Sequence, residues 1–181
     1  MKKVIVLILV MWMAMQSQAQ FSRAYLQATG LTCAMCSNAI NKALLKVPFV
    51  ESVKPDIKNS AFDIVFKKDS KVEIDALKRA VDDAGFSVGS LKITGSFNDL
   101  KIANDEHVKI GPDNFHFLDV KDQVLNGENT ITVVDKDFVS AKQFKRYSAA
   151  TKMKCIQTGK AESCCIKDGV PANTRIYHVT I

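Results

Sequence analysis

Two periodicities organise the first half of the chain. From Cys36 the apolar residues Ala39, Ile40, Ala43, Leu44 and Val47 recur at the spacing of one helical face, until Pro48 interrupts it. Residues 24–31, ahead of that stripe, read as a strand. Beyond Pro48, residues 50–57 and 61–67 predict a hairpin around Lys58-Asn59-Ser60, and in its second arm Phe62, Ile64 and Phe66 alternate with Ala61, Asp63 and Val65. One face of that arm is therefore core. Ser70 with Glu73 three residues later predicts a capping box. Ile74, Leu77, Val81 and Ala84 then supply the stripe of a second helix, which Gly85 closes, and Phe86, Val88, Leu91 and Ile93 make a last strand. Strand, helix, strand, strand, helix, strand is the order of a split βαβ, or ferredoxin-like, α+β sandwich.

After about residue 95 the pattern changes. Short strand-like runs at 107–110, 115–120, 130–134 and 175–181 alternate with turn signals at Gly111-Pro112-Asp113 and Asn126-Gly127-Glu128. Residues 140–150 predict a short helix capped by Ser140, with Phe144 and Tyr147 facing inward. Strands around a single helix predict a small, mostly-β domain, a barrel of the oligonucleotide/oligosaccharide-binding (OB-like) kind. Such a likeness says nothing about what the domain binds.

The first residues change the reckoning. Lys2 and Lys3 precede a continuous apolar run at 4–15, and Ser17 and Ala19 offer small residues for cleavage. This is the grammar of a secretory signal peptide at 1–19, too short for a membrane span. The expected layout is then the signal, a ferredoxin-like domain at 20–94 and a β-rich domain at 95–181, periplasmic or secreted. Cleavage would remove Trp12 and four of six methionines, leaving Met35 and Met153, which excludes a methionine-rich copper site. It would also lower the formal net charge from +6 by the two lysines. The remaining basic residues are interspersed with acidic ones, so nucleic acid is not an expected partner.

Candidate chemistry concentrates in Gly30-Leu31-Thr32-Cys33-Ala34-Met35-Cys36, which sets two thiols three residues apart at the mouth of the first helix. Side chains at i and i+3 there stand roughly 5–6 Å apart at Cβ. The unpaired amides and positive dipole end of the helix favour a thiolate. Soft thiolates select Cu(I), Zn(II) and similar ions over hard cations. The alternatives are a simple disulfide, since exported cysteines oxidise, and thiol–disulfide redox chemistry of the thioredoxin type, whose sequence context is missing here.

That stretch, together with Val50-Glu51-Ser52-Val53 and Asp83-Ala84-Gly85-Phe86, resembles the heavy-metal-associated domain of copper chaperones, copper ATPase N-termini and periplasmic mercury-binding proteins. The resemblance spans about seventy residues, 23–94. It implies that Cys33 and Cys36 clamp a soft metal ion in near-linear two-coordination, which Cu(I) tolerates and tetrahedral zinc does not. Hg, Ag, Zn and Cd are the other thiophilic candidates. Leu31 stands where the family usually has methionine, and an isosteric apolar anchor should serve there. Phe86 occupies the family's aromatic or lysine position near the metal, and brings neither charge nor hydrogen bond.

Cys155, Cys164 and Cys165 form an odd set. The default expectation is a loop disulfide from Cys155 to Cys164 or Cys165 with one thiol left over; the alternative is a second soft-metal site built from all three. His107, His116 and His178 have no His or Cys at ligand spacing and read as structural. No Ser-His-Asp, HExxH, P-loop or paired-carboxylate pattern appears, so the expectation is not an enzyme. The reading is a Cu(I) carrier or chaperone that passes its ion by thiolate exchange to a metal-transporting or metal-accepting partner.

Overall fold

The computed structural model describes residues 20–31 and 34–181. The expected signal at 1–19 lies outside them. In chain order the elements are β1 (Gln20–Thr29), α1 (Ala34–Leu45), β2 (Val50–Asp56), β3 (Ala61–Phe66), α2 (Ile74–Asp83) and β4 (Ser87–Ile102). Then follow β5 (Glu106–Ile110), β6 (Asp113–Phe117), β7 (Gln123–Val133), α3 (Ala141–Ala149), α4 (Cys155–Thr158), α5 (Ser163–Ile166) and β8 (Ile176–Thr180).

The first six elements appear in the predicted order. In β3, Phe62, Ile64 and Phe66 are buried while Asp63 and Val65 face out, as strand alternation requires. Helix α1 buries Ser37, Ile40 and Leu44; Ala39 is exposed, because the face set by Ile40 and Leu44 returns three residues earlier at Ser37. Helix α2 buries Ile74, Leu77, Ala80 and Val81. The expected capping box does not form. Glu73 occupies the cap position without a side-chain hydrogen bond, because the Ser70 hydroxyl instead donates to the Lys67 carbonyl at 2.6 Å.

All eight strands join one mixed sheet in the order β2-β3-β1-β4-β7-β8-β6-β5. The closed barrel expected for residues 95–181 is not what forms: β7, β8, β6 and β5 extend the first four strands, and β2 and β5 are the open edges. The bridge is β4, which runs unbroken past residue 95, pairing with β1 through Ser87–Ser96 and with β7 through Leu91–Ile102. A β-carbon at Gly95 would stand 2.9 Å from the Gln20 carbonyl oxygen and from the Phe21 ring, which explains glycine at this crowded crossing. The Asn126-Gly127 pair does not turn the chain. It lies inside β7 opposite a bulge in β4 between Phe97 and Leu100, where Asn126 Oδ1 accepts from the Asp99 amide at 2.7 Å. The Gly111-Pro112 turn does join β5 to β6.

Helix α3 forms where expected. Ser140 Oγ accepts from the Gln143 amide, and Gln143 Oε1 accepts from the Ser140 amide in return. Phe144 and Tyr147 pack on buried Leu118, Val134 and Ile156.

One apolar core runs through both halves, from Leu26, Ile40 and Leu77 to Phe115, Tyr177 and Val179. Phe21 of β1 makes edge-on ring contacts with Phe97 at 6.4 Å and with Phe115 of β6 at 5.9 Å. A second tie is ionic. Arg175, just before β8, donates to both carboxylate oxygens of Asp75 in α2 at 2.9 and 3.1 Å and to Asp135 at 2.8 Å.

Candidate metal centre

Strand β1 ends where Gly30 takes a positive φ of 81°, a conformation open to glycine, and the chain turns toward α1. Thr32 and Cys33 lie outside the described residues, so the structure places one thiol of the expected pair. Cys36 stands half-buried in the first turn of α1, flanked by Met35, which is 83% exposed. That first turn carries no acidic side chain, and the positive end of a helix favours negative charge on sulfur. Beneath the loop, Leu31 and Phe86 are partly buried against the main core. Phe86 Cδ1 lies 3.9 Å from where a Gly30 β-carbon would be, so the ring packs beside the loop as an apolar prop. Pairing of Thr29 with Ser87 holds the base of the loop against the start of β4.

The C-terminal half holds a second concentration of ligand-type side chains that the sequence reading took for structural histidines. His107 of β5 is the register partner of His116 of β6, which is in turn the partner of His178 of β8. The three imidazoles thus form a row across neighbouring strands; the first two stack at 4.5 Å and the second two meet edge-on at 5.1 Å. Cys155, first residue of α4, covers the row. Its Sγ lies 3.9 Å from His107 Nε2, 3.8 Å from His116 Nδ1 and 3.4 Å from His178 Nε2. The opposite nitrogen of each ring meets a carboxylate: Asp168 at 2.7 Å, Asp105 at 2.9 Å and Asp135 at 2.6 Å respectively. His116, His178 and Cys155 are fully buried.

Nor does the expected loop disulfide form. Cys155, Cys164 and Cys165 are all free thiols, with their sulfurs within 4.8 Å of one another and Cys164 Sγ 3.5 Å from Cys165 Sγ. Burial, followed by the neighbouring Cys165 and Cys164 thiols, pushes the Cys155 thiol up. Burial also opposes ionisation of Cys164, yet its contacts with Cys165 and with backbone amides leave that thiol lowered. Burial, then the rings of His178 and His107, pushes His116 down to about 4 despite Asp105, so it is neutral at pH 7. The missed signal was register: histidines 9 and 62 residues apart in sequence become neighbours only once β5, β6 and β8 pair.

A ferredoxin-like run of elements with a cysteine in the opening turn of its first helix has the layout of a heavy-metal-associated domain. Residues 26–87 match the heavy-metal-associated domain family, and the chain belongs to that family. It is 30% identical over 67 residues to the copper chaperone CopZ of Staphylococcus aureus, a match covering 37% of this chain and 97% of the relative. It is also 30% identical over 71 residues to a probable copper-transporting ATPase, HMA5, of Arabidopsis thaliana; there the match covers 39% of this chain and 7% of the relative's length. A solved structure titled CopZ metallochaperone aligns at 30% identity with a TM-score of 0.35, covering 37% of this chain and 98% of that one.

Proposed function

We propose that the protein is an exported carrier of Cu(I) that holds the ion between Cys33 and Cys36 and releases it to a thiol-bearing partner by ligand exchange. The observation that carries this reading is the placement of Cys36 in the opening turn of α1, within a segment 30% identical to nearly the whole length of a protein named as a copper chaperone. Two thiolates leave a Cu(I) ion under-coordinated, so an incoming thiolate can add before an old one departs. Met35, between the two cysteines in sequence, is 83% exposed. The charged start of the chain, its apolar run and its small-residue site support export to the periplasm or beyond. The remaining residues, from about 95, form the β-rich extension of the same sheet. Hg, Ag, Cd and Zn share the thiophilic chemistry and are competitors for the same pair.

The test is a competition titration of reduced protein with Cu(I) against a chelator, under anaerobic conditions. Cys33→Ser and Cys36→Ser should each weaken the tight loop equivalent roughly 100-fold while preserving the far-ultraviolet circular dichroism. Unchanged affinity in the double variant would remove the site. Rapid turnover in an insulin-reduction assay would favour a disulfide-exchange protein instead.

A further inference from the structure

We infer that the C-terminal half contains a second metal site, separate from the Cys33–Cys36 loop, in which Cys155, His107 and His116 ligate a late transition-metal ion of the zinc or copper type. The sulfur and the two ring nitrogens all lie within 4.8 Å of one another. A carboxylate can only accept, so in a neutral imidazole the nitrogen that faces it carries the proton and the other presents a lone pair. Asp168 and Asp105 face one nitrogen each of His107 and His116, and Asp135 does the same for His178. Three lone pairs therefore converge on Cys155 Sγ, which has a single proton to share. A cation among these donors resolves that mismatch.

The distances agree with this reading. With metal–sulfur and metal–nitrogen bonds of about 2.3 and 2.05 Å, a tetrahedral ion spaces sulfur and nitrogen about 3.6 Å apart. The separations from Cys155 Sγ to His107 Nε2 and His116 Nδ1 are 3.9 and 3.8 Å. The ring–carboxylate bonds have the form that orients metal-ligating histidines. Cys155 is also neighboured by His178 Nε2 at 3.4 Å and by the Cys164 and Cys165 thiols, the nearest further donors to the three ligands. Imidazole and thiolate together suit zinc and copper among the first-row ions, and exclude calcium and magnesium.

The chain carrying Cys33→Ser and Cys36→Ser isolates this site from the loop. Reduced and titrated anaerobically with Co(II), it should take up one equivalent with a near-ultraviolet thiolate-to-cobalt band, and Zn(II) should displace it. Cys155→Ser should abolish the band, and His116→Gln should weaken uptake by tenfold or more. Where either variant fails to fold, Asp168→Asn serves: its carboxylate is 42% exposed, all ligands stay in place, and affinity should fall roughly 10–100-fold. Absence of the band in the parent chain would overturn the inference. So would a band that survives Cys155→Ser, or an affinity untouched by Asp168→Asn. The loop pair is already absent from this chain, so these results do not depend on the fate of the carrier reading.

Discussion

Met35 sits between the two loop positions with 83% of its surface exposed, and α1 is held down by Ser37, Ile40 and Leu44 instead. Met35→Ala should therefore change stability by no more than about 0.5 kcal/mol and leave metal affinity nearly intact; a chelator competition alongside urea unfolding checks both. Arg175 is the opposite case. Its guanidinium serves Asp75 and Asp135 at once and lies over the Tyr177 ring at 4.1 Å. Arg175→Ala leaves two carboxylates without their cation and should cost on the order of 3 kcal/mol in urea unfolding. Burial alone would raise the Asp75 carboxyl, but its hydrogen bonds to Arg175 hold it below the usual carboxylate range. A depressed carboxyl stabilises the fold above its unfolded pKa, and that contribution is lost as pH falls through the lower folded value. Acidification should therefore erode the urea midpoint more steeply in the parent chain than in Asp75→Asn; parallel curves would contradict the pairing.

At the scale of elements, the periodicity within single elements was legible in the sequence, while short turn and cap signals were not uniformly so. The stripe of α2 and the alternation in β3 needed only their own periods, and Ser140 with Gln143 three residues on closes both hydrogen bonds of a capping box. Ser140→Ala should cost about 1 kcal/mol, visible as a lower thermal midpoint. Ser70 and Glu73 offer the same letters and fail, because the Lys67 carbonyl takes the hydroxyl. Asn126-Gly127 carries a hairpin signature, yet β4 is long enough to pair on both sides of it, and the glycine is absorbed opposite a bulge. The histidine row was hidden for a related reason. Spacing along the chain reports ligands on one helix or hairpin, whereas His178 reaches His116 through a parallel pairing of β6 with β8, which no local pattern encodes.

For the molecule as a whole, β4 makes the two sequence halves one sheet, and Phe21, Phe97 and Phe115 pack across what the sequence presented as a domain boundary. The helix-strand rhythm stops near residue 95, but a change of rhythm need not be a break in pairing, and β4 pairs on through it. Shared core and shared strand predict one cooperative transition in urea, with circular dichroism and hydrogen exchange of β3 and β8 amides reporting the same midpoint; two separated transitions would contradict it. On the proposed carrier reading, function at this scale rests on the loop giving up its ion to another protein. The most direct test loads the reduced chain with one equivalent of Cu(I), removes weakly held ion and mixes it with an isolated thiol-pair acceptor domain, following transfer in time. Direct exchange through a shared intermediate predicts a rate that rises with acceptor concentration and that Cys36→Ser abolishes along with loading of the loop. A rate independent of the acceptor, set by escape of the ion into solution, or no transfer at all, would contradict the carrier account.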